Sequence, residues 1–305
     1  MSNLVVETAG LRKDFGSIQA LNDINLYVQE GEIFCIVGPD GAGKTTLIRI
    51  LCGILPLSEG NVKILGRDIQ KEKQKIKPNI GYLSQRFSLY GDLTVSENID
   101  FFAEIHKEKD FLKRKEELLN FTRLAPFHER LAEHLSGGMK QKLALACTLI
   151  HRPKLIFLDE PTTGVDPVSR RDFWKILATL LKMSITIFLA TPYLDEAERC
   201  TRVALMNKGK VLICDEPGAV RQSIKEKVIE LITGNIRLSA THLHDLKEIS
   251  NVQIFGDRLH ISISNVQVAL AAINRVCEKA NIPIISYREI IPSMEDAFIS
   301  MLPKS

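Results

Sequence analysis

The run Gly38-Pro-Asp-Gly-Ala-Gly43-Lys44-Thr45 constrains this chain more than any other feature. It follows a short apolar, β-branched stretch from Glu32 to Val37 and precedes a helical pattern from Lys44 to about Leu55. A strand that turns through glycines into a helix points successive backbone N–H groups into one concavity, a nest for phosphate oxygens. The helix N-terminus adds the positive end of its dipole at the same place. In that setting Lys44 reaches phosphate oxygens and the Thr45 hydroxyl is a ligand for Mg²⁺.

A second strand pattern, Leu155 to Leu158, ends in Asp159-Glu160, and a third spans Ile185 to Ala190. Ligands bind at the carboxyl ends of strands in open α/β sheets, so these carboxylates fall on the side of the phosphate nest. Neighbouring strand residues point apart, which allows two roles: Asp159 for Mg²⁺ and Glu160 as general base for an attacking water. Between these strands, Phe173, Ile176, Leu177, Leu180 and Leu181 share one face of a helix over Val168 to Lys182. Strands apolar on both faces, alternating with amphipathic helices, specify a parallel α/β sheet covered on both sides.

The segment from about 87 to 135 is instead a helical insertion, opened by the capping-box spacing Thr94-Val-Ser-Glu97. It leads into Leu135-Ser136-Gly137-Gly138-Met139-Lys140-Gln141. Ser136 is a natural N-cap, and Gly137 and Gly138 leave N–H groups uncovered at a helix start. Local physics reads this equally as a second anion site or as an ordinary capped helix with a Gly-Gly bend. An anion site separate from the phosphate loop points to pairing of two molecules.

Composition removes several alternatives. The 305 residues are 45% hydrophobic and 25% charged, enough for about two globular domains. A net charge of +3 is too small to mark a nucleic-acid binder. No apolar run reaches the roughly 18 residues of a membrane span, and the first residues lack a secretory pattern. The six cysteines form no C-x-x-C pair and sit mostly in apolar runs, as expected of reduced thiols in the cytoplasm.

Taken together, GPDGAGKTT, LSGGMKQ and LIFLDEP resemble the Walker A, signature and Walker B motifs of ABC transporter ATP-binding subunits. The resemblance covers about residues 4 to 220 and extends to Gln85 in Tyr82-Leu-Ser-Gln85 and to the D-loop Gly164-Val165-Asp166. It implies a P-loop NTPase fold, a mostly parallel sheet with a helical insertion. It also implies an ATP site built from Gly38, Pro39, Asp40, Gly41, Ala42, Gly43, Lys44, Thr45 and Thr46, with Phe15 stacked on adenine. Glu160, Lys44 and Gln85 would serve catalysis, and Thr45, Gln85 and Asp159 would hold Mg²⁺. Ser136, Gly137 and Gly138 would complete the site of a second ATP-binding subunit in a head-to-tail dimer. Separate transmembrane permease subunits would supply the membrane contact, placing the chain in the cytoplasm, peripheral at the inner face of the cell membrane.

The chain departs from that family in one place. The switch histidine expected after Ala190-Thr191 is replaced by Pro192, and no histidine occurs between His151 and His242. Proline has neither a side-chain donor nor a backbone N–H, so slowed hydrolysis, or a nucleotide-sensing subunit beside a different ATPase, is the expectation. A DNA-repair ATPase would need a long coiled coil or a basic surface, and a duplicated translation-factor ATPase a second Walker A.

A boundary near Glu216-Pro217-Gly218 divides a domain of residues 1–217 from one of 218–305. The second reads as strand 228–233, helix about 241–249, strand 252–255, strand 259–263, helix 266–280 and strand 284–290. That order is ferredoxin-like α+β. Its ending, Pro292 to Ile299, resembles ATPase subunits of the drug- and lipid-exporter branch. His242-x-His244 reads as a solvated helix start, Lys71 to Lys77 as an exposed charged loop, and Trp174 as a packing residue.

Overall fold

The computed structural model describes residues 3–85, 89–224 and 226–302. They form two compact units that meet in sequence at Asp215 and Glu216.

A six-stranded sheet organises the first unit, in the order 210–215, 202–207, 33–37, 186–191, 155–159 and 80–83. All neighbours are parallel except the hairpin of the first two strands. Ile33–Val37, Leu155–Asp159 and Thr186–Thr191 are buried along their whole length, which is why their sequences run apolar without alternation. Phe34 and Phe157 each pack on Phe188, with ring centroids 5.3 and 5.5 Å apart. The helix after the phosphate loop, Lys44–Leu51, ends four residues before the expected limit; Cys52 caps it and the Gly53 N–H bonds to the Ile50 carbonyl.

A four-stranded antiparallel sheet precedes and flanks this layer, in the order 18–29, 4–15, 59–64 and 67–68. Its two long strands carry four register shifts, which break the alternation that would have revealed them in the sequence. The lysine-rich segment contains a short helix, Lys73–Ile76, with Ile76 fully buried, and is not simply an exposed loop.

The insertion consists of Val95–Ile105, capped by the Thr94–Glu97 box, and Leu112–Phe121, before the helix Gly137–Leu149. The expected start of the insertion, about 87, lies outside the described residues.

The second unit has the β-α-β-β-α-β order, with all strand pairs antiparallel and the sheet order 249–255, 258–263, 227–233 and 284–290. Leu259, Ile261 and Ile263 join Ile229, Leu231, Ala269 and Ile273 in its core. The first helix is Ile236–His244, about five residues earlier than expected, because the Asn235 side chain caps it at the Leu238 N–H. His242 and His244 therefore occupy its last turn, and Ile249 opens the following strand. A capping box of Ser293 and Asp296 starts the helix Met294–Ser300.

Candidate functional site

The phosphate loop is held open by its own backbone. Gly43 has φ +101°, and a Cβ there would lie 2.6 Å from the Ala20 carbonyl, so only glycine fits. The Ala42 carbonyl accepts from the Gly209 N–H at 3.0 Å, tying the loop to the hairpin turn after Asn207. Lys44 is buried, with its ammonium donating to the carbonyls of Gly38 at 2.8 Å and Pro39 at 3.1 Å.

The strand Leu155–Asp159 brings the two carboxylates to this loop. The Thr45 hydroxyl donates to Asp159 Oδ1 at 3.0 Å, while Asp159 Oδ2 is buried without a hydrogen-bond partner among the described residues. Burial raises the pKa of the Asp159 carboxyl, Glu160 pushes the same way, and the Thr45 bond opposes both. A hydroxyl beside a carboxylate with a bare oxygen is a hard-donor set, and it fits Mg²⁺.

Glu160 has φ +52°, a strained backbone for a side-chain-bearing residue, and its N–H bonds to the Ala190 carbonyl at 2.9 Å. Its Oε1 stands 3.3 Å from Lys44 Nζ, and its Oε2 accepts from Gln85 Nε2 at 3.0 Å. Five residues separated by up to 116 positions thus converge; Lys44, Thr45, Gln85 and Glu160 border a cavity of about 590 Å³, and Asp159 lies behind Thr45, outside its lining.

Asp40 to Thr46, Gln85 and Glu160 line that cavity, together with Ile18, Gln19, Ala20, Lys208 and Gly209, which the sequence did not single out. Gly38 and Pro39 serve instead through their carbonyls to Lys44. Phe15 is not among the lining residues; it pairs with Ile18 across the hairpin, 47% exposed, with Lys13 Nζ 5.0 Å from its ring centroid.

Ser136, Gly137 and Gly138 also lie outside this cavity's lining. Ser136 Oγ accepts from the Met139 N–H at 3.4 Å, so the helix start is capped. A Cβ on Gly138 would overlap Ser169, on the helix Pro167–Lys182, whose N-terminus is capped by Asp166. The signature helix therefore packs its Gly138 backbone directly against the Ser169 side chain of the helix after the D-loop.

Residues 21–163 match the ABC transporter family, and residues 216–302 match the C-terminal domain of DrrA1-3-like ATP-binding proteins. Over 308 residues the chain is 32% identical to the Nod factor export ATP-binding protein I of Rhizobium sp. (strain N33), covering 99% of this chain and 98% of that protein. The chain belongs to the ABC transporter ATP-binding proteins.

This ABC protein is also 38% identical to the probable multidrug ABC transporter ATP-binding protein YbhF of Escherichia coli (strain K12) over 309 residues. It spans 53% of that relative's length. Among solved structures, a nucleotide-free ATP-binding cassette from an ABC transporter superposes with a TM-score of 0.65 at 26% identity, over 70% of this chain and 91% of that one. A dimeric cassette in a post-hydrolysis state, bound to ADP and Pi, superposes at 0.63 with 28% identity, over 69% and 98%.

Proposed function

We infer that this chain is an ATP-binding and ATP-hydrolysing subunit of an exporter. The contact set of Lys44, Thr45, Glu160 and Gln85 around one cavity, with Asp159 bonded to Thr45 behind it, is the observation that carries this reading. The loop amides and Lys44 bind the phosphate tail. Thr45, Asp159 and Gln85 hold Mg²⁺, which supplies charge neutralisation of the phosphate oxygens when bound. Glu160 takes a proton from the attacking water as its oxygen bonds to the γ-phosphorus; the bond to the β-phosphate oxygen breaks, leaving ADP and phosphate. Phe15, paired with the cavity-lining Ile18, offers its half-exposed ring for stacking on adenine.

A companion ATP-binding unit completes each site with its own signature segment, as Ser136 to Gly138 do for the companion. The names of the relatives, a Nod factor exporter and a probable multidrug transporter, support export through transmembrane partners at the cytoplasmic face. Among the described residues no helix is long and apolar enough to cross a membrane.

A second reading rests on Pro192. Among the described residues no histidine lines the cavity; on this reading the chain senses nucleotide and a different companion does the hydrolysis. Phosphate release from the purified chain decides between them: steady release supports the enzyme, and none with retained ATP binding supports the sensor. Co-purification from membranes with a hydrophobic subunit tests the transporter assignment.

A further inference from the structure

Glu196 is a fully buried carboxylate, 0% exposed, in the short helix Leu194–Ala197 that follows Pro192. Four donors converge on it. Its Oε1 accepts from the Thr162 hydroxyl at 2.7 Å, Arg170 Nε at 2.6 Å and Trp174 Nε1 at 3.2 Å; its Oε2 accepts from the Thr191 hydroxyl at 2.7 Å. Such density of charge-assisted bonds around one buried acid is stable only when every donor is in place.

The donors come from three segments: two adjoin Glu160, and the third meets the signature segment. Thr162 lies two residues after Glu160. Thr191 follows Ala190, whose carbonyl accepts the Glu160 N–H at 2.9 Å. Arg170 and Trp174 belong to the helix capped by Asp166, the helix that meets the signature segment at Ser169 and Gly138. The chain on either side of Glu160's backbone contact, at Thr162 and Thr191, and the helix that meets the signature segment thus share one carboxylate.

We propose that Glu196 is a positioning residue for hydrolysis: it fixes the backbone that aims Glu160 and links that aim to the D-loop and signature segments. This rests on the ATP-hydrolysis reading above. Glu196 is not among the residues that line the cavity, and its four side-chain donors above do not line it either. Its loss therefore acts on turnover while leaving nucleotide affinity in place.

The test uses the full chain, with kcat, KM, binding of a fluorescent ATP analogue and thermal melting measured together. Glu196→Gln keeps the shape but removes the charge facing Arg170. The expected result is a kcat lower by about tenfold or more, with KM and analogue affinity within about twofold. Thr191→Val and Thr162→Val each delete one donor and keep the Glu196–Arg170 pair; each is expected to lower kcat by about threefold or more with KM unchanged. These two variants decide the matter if Glu196→Gln does not fold. Wild-type kcat in both threonine variants, or in a folded Glu196→Gln, overturns the proposal. So does a parallel collapse of kcat and nucleotide affinity, which marks a scaffold role. A wild-type chain that releases no phosphate overturns the hydrolysis reading and this one with it.

Discussion

Gln85 and Glu160 are joined by a 3.0 Å hydrogen bond across 75 residues of sequence. The bond connects the loop that leads into the helical insertion with the carboxylate just past the strand Leu155–Asp159. With Lys44 on its other oxygen, Glu160 is restrained on both sides, and the substitutions below follow from that arrangement.

Lys44→Ala removes the cation of the phosphate loop and leaves the buried Glu160 without its ionic partner. ATP affinity is expected to fall about 100-fold, roughly 2.7 kcal/mol. Titration with a fluorescent ATP analogue measures this, and an affinity within about threefold of wild type contradicts the role of Lys44.

Glu160→Gln preserves the size of the side chain and deletes its capacity to take a proton. Turnover is expected to fall by about 10²- to 10⁴-fold, with ATP binding retained and an ATP-dependent dimer accumulating. Single-turnover phosphate release and gel filtration with ATP provide the readouts. Normal turnover by this variant removes Glu160 from the mechanism.

Pro192→His restores a donor at the strand end that follows Thr191. If hydrolysis is slowed by a missing contact to the terminal phosphate, kcat rises about tenfold or more. Steady-state phosphate release compares the two forms. An undetectable rate in both leaves the nucleotide-sensing reading standing.

His106 and His151 predict the acid sensitivity of the first unit. Their rings stack with centroids 3.9 Å apart, and His151 Nε2 donates to the Ile80 carbonyl at 2.9 Å. Lost hydration and the neighbouring His151 lower the His106 pKa from 6.5 to about 4; burial lowers that of His151, opposed by the Ile80 bond and Glu108. The folded state therefore binds fewer protons than the unfolded state, so stability is full above pH 6.5 and falls as the pH drops toward about 4. Thermal melts at two pH values are expected to lose about 1 kcal/mol, because the wet side of His106 screens much of the shift. His151→Gln flattens the dependence; an unchanged slope contradicts the assignment.

The local parts of the site were legible because their chemistry and their spacing coincide. Gly38 to Thr45 lies between a strand and a helix, and Asp159-Glu160 ends an apolar run, so short windows carry the signal. Gln85 was found only through the family pattern, since no spacing connects it to Glu160. Ile18, Gln19, Ala20, Lys208 and Gly209 enter the cavity wall through strand pairing, which leaves no period in the sequence. The N-terminal sheet was hidden by the bulges between Leu4 and Phe15. Trp174, read as a packing residue, is buried as expected but also donates to Glu196, an acid 22 positions away.

The contact between Gly138 and Ser169 has a mechanical meaning. The Ser169 side chain sits so close to the Gly138 backbone that not even a Cβ fits between them, and the tip of one helix cannot tilt toward the other unless that other yields. In the proposed pair, a tug at Ser136 from a neighbour's nucleotide would pass through this contact to the helix that Asp166 caps and that carries Arg170. Each half of a pair would in this way register the loading of the other before its own bond is cut.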